Sequence, residues 1–194
     1  MTTNFLSFRS FYKEIRWQLL YKKLRKIEFL ILDVDGVLTD GGLWYQSNGE
    51  ILKRFDVKDG LSINLVQENG IEIVLISGGE SAAAELRAKQ LGIKYTFFKV
   101  KNKYQKLKDF QKEKCIPISK CAYVGDDIND IVIRPLVSLL FTPRNASASL
   151  VSISDLRLEK PGGFGAIREL SERFLKSKGL WKNYSKYGWV KTST

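Results

Sequence analysis

The 194-residue sequence predicts an α/β fold, a doubly wound parallel sheet, on three observations. Short β-rich apolar runs alternate with longer helical patterns. Several of the runs lack polar alternation, as strands covered on both faces do. Acidic clusters stand just beyond two of the runs, at the strand ends where ligands bind in such sheets.

The apolar runs are residues 29–34 (FLILDV), 71–76 (IEIVLI), 95–98, 121–124 (CAYV) and 137–141 (VSLLF). Helical patterns cover residues 61–68, 81–91, 103–112 and 128–134. One interval breaks the rhythm. Residues 43–46 and 51–57 read as β-like runs around Ser47-Asn48-Gly49, and Asn-Gly between such runs is a strong hairpin signal. A hairpin here follows the first strand and projects from the carboxyl edge of the sheet. The expected division is a basic extension over residues 1–26, an α/β body over 27–178 and a basic aromatic tail over 179–194.

With 32 Lys+Arg against 21 Asp+Glu the chain carries a net charge of +11, unevenly placed. Residues 1–26 hold seven basic residues and one acid, residues 173–194 hold six and none, and the middle is nearly neutral. Phe8, Phe11, Tyr12, Ile15, Leu19 and Leu20 recur at helical spacing in the first segment, which reads as an amphipathic helix packed on the body or on a sister subunit. A membrane-surface contact of the basic tails is the functional counterpart; nucleic acid is not the expected partner. No apolar run approaches the roughly 18 residues of a membrane span, and the N-terminus lacks the apolar core of a signal peptide, so the expected compartment is the cytoplasm.

The chain has no histidine. A Ser-His-Asp triad, a His-based zinc site and a phosphohistidine intermediate are thereby excluded, leaving carboxylates, Lys, Ser/Thr or a hard metal to carry any catalysis. Cys115 and Cys121 are the only thiols; they are expected to be buried small apolar residues in a reducing compartment, not a disulfide.

Asp33-Val34-Asp35-Gly36-Val37 closes the first run. Two carboxylates there would be costly if they simply faced the core, so a metal or a reaction is the reason to keep them. Gly125-Asp126-Asp127-Ile128-Asn129-Asp130 follows the 121–124 run in the same way. In a parallel sheet the two clusters converge, and hard oxygen ligands suit Mg2+. Ser77-Gly78-Gly79 ends another run and Lys103 opens the helix after 95–98. A hydroxyl, free backbone N–H groups and an ammonium are what a phosphoryl group needs.

DVDGVLTDGG, FDVKDG, LISGG, VKNK, YVGDDIND and GGFGAIRE are similar in order and spacing to haloacid dehalogenase-type phosphatases. Over about residues 28–175 the chain resembles the capless group of 3-deoxy-D-manno-octulosonate 8-phosphate phosphatases, enzymes of lipopolysaccharide biosynthesis. The resemblance implies a Rossmann-like core and hydrolysis through an aspartyl-phosphate. Asp33 would be the nucleophile and Asp35 the general acid and base. Mg2+ would be bound by Asp33, the Asp35 backbone carbonyl and Asp126. Ser77, Gly78 and Lys103 would cradle the phosphoryl oxygens, with Asp127 and Asp130 supporting the metal or Lys103. It also implies a homotetramer whose hairpins close neighbouring sites, and a phosphorylated acidic sugar as substrate.

Two positions depart from the family's pattern. Gly79 and Phe164 stand where arginines that meet the sugar acid are usual, so a nonulosonate (N-acylneuraminate) 9-phosphate phosphatase or a broad-specificity sugar phosphatase is the nearest alternative. Lys53, Arg54 and Lys58 of the hairpin segment offer replacement charge, or are solvated strand residues. A phosphorelay receiver also uses strand-end aspartates, Mg2+ and a lysine, but places its phosphorylated Asp on a middle strand with no adjacent acid/base. A non-catalytic binding protein driven by the basic tails is the remaining alternative.

Overall fold

The computed structural model describes residues 3–80 and 82–189. A six-stranded sheet is formed by β1 (Phe29–Leu32), β4 (Glu72–Ile76), β5 (Tyr95–Phe97), β6 (Cys121–Val124), β7 (Leu139–Thr142) and β8 (Leu156–Arg157). The strands lie in the order β5-β4-β1-β6-β7-β8 and every pairing is parallel. The order reverses at β1, which puts the crevice of a doubly wound sheet beyond the ends of β1 and β6.

Alternate residues of each strand face opposite layers, as the pleat requires. Leu30, Leu32, Ile73, Leu75, Ala122, Val124, Leu139 and Phe141 pack into one core, covered by α1 (Thr3–Leu24), α2 (Val57–Glu68), α3 (Ala82–Gln90) and α6 (Ala166–Ser177). Ile31, Val74, Ile76, Cys121, Tyr123 and Leu140 pack into the other, under α4 (Lys103–Glu113), α5 (Ala148–Ile153) and a 3-10 helix over Ile128–Leu136. Phe110 of α4 anchors that side, with Phe29, Tyr95 and Phe97 edge-on around it.

Several elements differ from the sequence expectation for identifiable reasons. The hairpin is shorter than predicted, with β2 at Trp44–Tyr45 paired antiparallel to β3 at Ile51–Leu52. Its second run stops because the Asp56 side chain accepts from the Lys58 and Asp59 backbone N–H groups and so caps α2. Residues 128–134, expected as an α-helix, lie in the 3-10 helix Ile128–Leu136, with Pro135 inside it. Ser81, the expected start of α3, lies outside the described residues. Cys121 is buried as expected, but Cys115 is exposed.

The apolar stripe of α1 is offset from the one expected. Trp17 and Leu24 are fully buried, Trp17 stacking on Phe141, whereas Phe11, Ile15 and Leu19 are exposed; the side chains of Phe8 and Tyr12 lie outside those described. Charged residues of this helix pair with the body: Lys13 with Glu159 and Glu169, and Glu14 with Arg173. The aromatic segment folds back too, as α7 (Trp181–Tyr187). Arg168 and Lys176 flank Trp181, the Tyr184 hydroxyl accepts from Asn69, and Trp189 donates to Glu68.

Asp59 joins two layers. Buried in the first turn of α2, its carboxylate accepts from the Gly165 and Arg168 N–H groups at 3.2 and 2.7 Å and so serves the start of α6, whose own N-cap is a glycine. Burial raises its pKa to about 6. No helix among the described residues is long and apolar enough to cross a membrane.

Candidate active site

Each expected site residue sits at the carboxyl edge of the sheet. Asp33 follows β1, Ser77 follows β4, Asp126 lies just beyond β6, and Lys103 is the first residue of α4, whose N-cap Asn102 accepts from Gln105 N–H. Four of them meet in the interior. The Lys103 ammonium, only 4% exposed, is 2.8 Å from Asp33 Oδ2 and 2.6 Å from Asp130 Oδ1.

Asp130 is fully buried and fully occupied. Its Oδ1 accepts from Lys103 and from the Tyr123 hydroxyl, the latter at 2.6 Å, and its Oδ2 accepts from the Asp126 and Asp127 N–H groups at 2.9 and 3.3 Å. Asp130 therefore fixes both the ammonium and the loop that carries Asp126. Tyr123 was not singled out from sequence, because within CAYV it reads as one more buried strand residue. Its phenol is driven well above its ordinary pKa by burial and by the charges of Asp130 and Asp33, so it acts as a donor.

Asp33, Asp126 and Asp130 present carboxylate oxygens within 4.8 Å of one another. Asp33 Oδ1 accepts from Val34 N–H at 2.7 Å, whereas the Asp126 carboxylate accepts no hydrogen bond among the described residues. Burial raises the pKa of Asp126 to about 7, helped by the charges of Asp33 and Asp130, and burial raises Asp33 to about 6 against the pull of Lys103. For the ammonium itself burial acts downward, and the two aspartates outweigh it. A half-buried carboxylate without a donor, facing a second one, fits a hard divalent cation: Mg2+ supplies the positive charge that Asp126 lacks. With Asp130 spent on its donors, Asp33 and Asp126 are left as the side chains to hold it.

Gly36 makes this approach possible. Its φ is +76°, and a Cβ there would lie 1.9 Å from Asp126 Oδ2. A second glycine contact backs it, since a Cβ on Gly162 would lie 1.7 Å from the Gly36 carbonyl oxygen. Neither close approach is readable from spacing alone.

Asp35 stands apart, facing the mouth. Its side chain is 35% exposed, and both of its oxygens are held by the Lys53 ammonium at 2.7 and 2.8 Å. Lys53 is thus not a solvated strand residue: its side chain is 4% exposed. Gly79 adjoins the pair, its Cβ position lying 3.1 Å from Asp35 Oδ2 and 3.8 Å from Lys53 Nζ. Ser77 is buried, its Oγ accepting from Gly79 N–H at 3.2 Å, which shapes the Ser77-Gly78-Gly79 turn. Asp127 is the expected residue that does not join the cluster. It is exposed and caps the 3-10 turn, its Oδ1 accepting from Ile128 N–H at 2.7 Å. Lys58 is exposed on the first turn of α2.

Residues 50–132 match the family model of haloacid dehalogenase-like hydrolases. The 3-deoxy-D-manno-octulosonate 8-phosphate phosphatase KdsC of Haemophilus influenzae is 36% identical over 160 residues, covering 82% of this chain and 89% of the relative. KdsC of Escherichia coli K12 is 36% identical over 157 residues, covering 81% and 84%. A crystal structure of the Moraxella catarrhalis 3-deoxy-D-manno-octulosonate 8-phosphate phosphatase, in complex with magnesium, phosphate and KDO, superposes with a TM-score of 0.82 at 34% identity, covering 86% of this chain and 95% of that one. The cobalt-bound Haemophilus influenzae enzyme superposes at 0.80 with 35% identity, covering 84% and 96%. With this agreement in sequence and fold, the chain belongs to the haloacid dehalogenase-like hydrolases, as a phosphoric monoester hydrolase of their capless octulosonate phosphatase group.

Proposed function

We propose that the protein hydrolyses 3-deoxy-D-manno-octulosonate 8-phosphate to the free sugar acid and phosphate, with Asp33 as nucleophile. The observation that carries this reading is the buried pairing of Asp33 with Lys103, next to the donor-free carboxylate of Asp126 and two residues from an accessible Asp35. An Asp33 oxygen attacks phosphorus as the bond from phosphorus to the sugar oxygen breaks, and Asp35 gives that oxygen its proton. Asp35 then takes a proton from water, which attacks phosphorus and breaks the bond to Asp33, restoring the carboxylate.

Lys103 and the Ser77-Gly78 turn hold the phosphoryl oxygens, and Asp130 keeps Lys103 in place. Asp33, the Asp35 backbone carbonyl and Asp126 are the ligands for Mg2+, with Asp127 acting through the loop it caps. Mg2+, when bound, offsets the repulsion between an anionic nucleophile and an anionic phosphate. Because Lys53 occupies both Asp35 oxygens, this pair has to open as substrate enters, and the phosphate dianion competes for the ammonium.

A nonulosonate 9-phosphate is the second substrate reading, favoured by the missing side chain at Gly79 beside Asp35. Relative turnover of the two sugar phosphates separates the readings. The exposed apolar residues of the hairpin segment, Leu43, Trp44, Tyr45 and Leu52, support a homotetramer that buries them; light scattering on the purified protein tests this.

The deciding experiment is phosphate release from a panel of sugar phosphates with Mg2+, alongside Asp33→Asn. Release from the octulosonate ester above all others, lost in the variant, is expected. An inert wild type, or an active Asp33→Asn, overturns the proposal.

A further inference from the structure

An acidic sugar phosphate carries two anions, and the cations that serve the phosphoryl group are already committed. Lys103 is locked between Asp33 and Asp130, and Lys53 is on Asp35. The second anion, the sugar carboxylate, needs a positive group farther out on the wall of the site.

Arg54 is placed there by its neighbour. In an extended segment successive side chains point to opposite sides, so with Lys53 turned to Asp35, Arg54 turns the other way. Its Nη1 donates to the Gly163 carbonyl at 2.7 Å, and its guanidinium carbon lies 4.2 Å from the centroid of the Phe164 ring. The Gly162–Gly163 turn is part of the site's wall. Gly163 N–H donates to the Val37 carbonyl at 3.0 Å, and Cβ positions on Gly162 and Gly163 would fall 1.7 Å from Gly36 O and 2.5 Å from Asp40 N. Arg54 thus stands over the same Asp33-to-Asp40 loop that carries the nucleophile.

Its charge is not spent. One N–H goes to a neutral carbonyl, and the Asp40 carboxylate is 4.0 Å away, at the outer limit of an ion pair, with its Oδ1 accepting from Gly42 N–H. The side chain is 45% exposed and the Phe164 ring beneath it 50%. A guanidinium held over an aromatic face and pinned at one nitrogen presents its other N–H groups as an oriented fork, which suits a planar carboxylate. Unlike Lys53 and Lys103, Arg54 has no carboxylate at hydrogen-bond distance among the described residues.

We propose that Arg54, supported by Phe164, binds the carboxylate of the substrate and makes the enzyme select acidic over neutral sugar phosphates. This rests on the phosphatase reading above, and the test separates the two. First, binding of free 3-deoxy-D-manno-octulosonate, which has no phosphate, is measured by calorimetry with Mg2+ present for wild type, Arg54→Met, Arg54→Lys and Phe164→Leu. Arg54→Met is expected to weaken binding by about 10- to 100-fold, the value of a charge-assisted contact. Arg54→Lys, which keeps the charge but not the fork, and Phe164→Leu, which removes the platform, fall between. Second, the ratio of kcat/KM on the octulosonate ester to that on glucose 6-phosphate is expected to fall by a similar factor in Arg54→Met, with the change in KM.

Wild type that does not bind the sugar acid, or Arg54→Met that binds it equally well, overturns the assignment. So does an equal loss on both esters, which marks Arg54 as a prop for the Gly163 turn. Retained sugar-acid binding that depends on Arg54, with no phosphate release from any ester, overturns the phosphatase reading and leaves the carboxylate site standing.

Discussion

Replacing Gly36 by Ala tests the close packing on which the metal site depends. Two costs follow from its surroundings. The residue sits at φ +76°, where an L side chain costs about 1–2 kcal/mol. For a domain of this size that lowers Tm by about 2–8 °C. The new Cβ would also lie 1.9 Å from Asp126 Oδ2 and 2.4 Å from its Cγ, and must be relieved to at least 3.0 Å, so the carboxylate has to retreat by more than 1 Å. Mg2+ demands near-ideal ligand geometry, and a displacement of ~1 Å in a catalytic group costs on the order of 100-fold in rate. Phosphate release across a Mg2+ titration is therefore expected to show a half-saturating concentration raised at least about tenfold and kcat lowered about 100-fold. Gly70→Ala is the control, having a similar φ of +79° and nothing within 4 Å of its Cβ position. It should lose stability without shifting the Mg2+ dependence. If Gly36→Ala behaves like Gly70→Ala, the packing of Asp126 against Gly36 does not set the metal site.

Proton competition should govern Mg2+ affinity. With Asp126 raised to about 7 and Asp33 to about 6 in the metal-free protein, binding requires protons to leave below those values, so affinity falls by up to about tenfold for each pH unit below 7 per proton displaced. Calorimetry in buffers of different ionisation enthalpy should find between one and two protons released at pH 6 and almost none at pH 8.5; affinity independent of pH across that range would contradict it. Asp59→Ala should lower stability through the loss of the cap on α6, by about 1–2 kcal/mol. Because the folded pKa is raised from 3.8 to about 6, the stability that wild-type Asp59 adds is greatest below 3.8 and declines as pH rises through 6, by up to about 3 kcal/mol. Paired urea melts at pH 4.5 and 7.5 should show a larger deficit for Asp59→Ala at the lower pH, and a deficit that grows with pH refutes the assignment. Lys53→Met should lower kcat/KM about tenfold on acidic and neutral esters alike, since Lys53 pairs with Asp35, the proposed proton donor; an effect confined to the acidic ester would reassign it.

The site was legible where residues break a rule of their segment. Asp33 and Asp126 are charges at the ends of apolar strands, and Lys103 and Ser77 begin or end elements at the same edge, so their convergence follows from a parallel sheet alone. Residues that obey the local rule gave no such signal. Tyr123 is a plausible core residue, and nothing in CAYV says that its hydroxyl meets Asp130. The division of labour among Asp126, Asp127 and Asp130 depends on the 3-10 turn that starts at Ile128: its geometry folds Asp130 inward and leaves Asp127 outside as a cap. Periodicity showed that α1 is amphipathic but could not register the stripe, because Trp17 and the exposed Phe11, Ile15 and Leu19 are equally apolar and only contact with Phe141 decides which are covered. The length of the hairpin turned on Asp56, whose role as a helix cap competes with the β-like pattern around it.

The contact of Gly162 with Gly36 also bears on when the enzyme can work. It joins two stretches of backbone from opposite ends of the fold with no side chain between them, and it backs the glycine against which Asp126 packs. Contacts so distant in sequence form late, after the loop-closure cost of the intervening chain has been met. A nascent chain that already holds Asp33, Lys103 and Asp130 still lacks this support until the Gly162 turn has emerged and docked. A chain ending before residue 162 is therefore expected to lose the backing that Gly162 gives to Gly36.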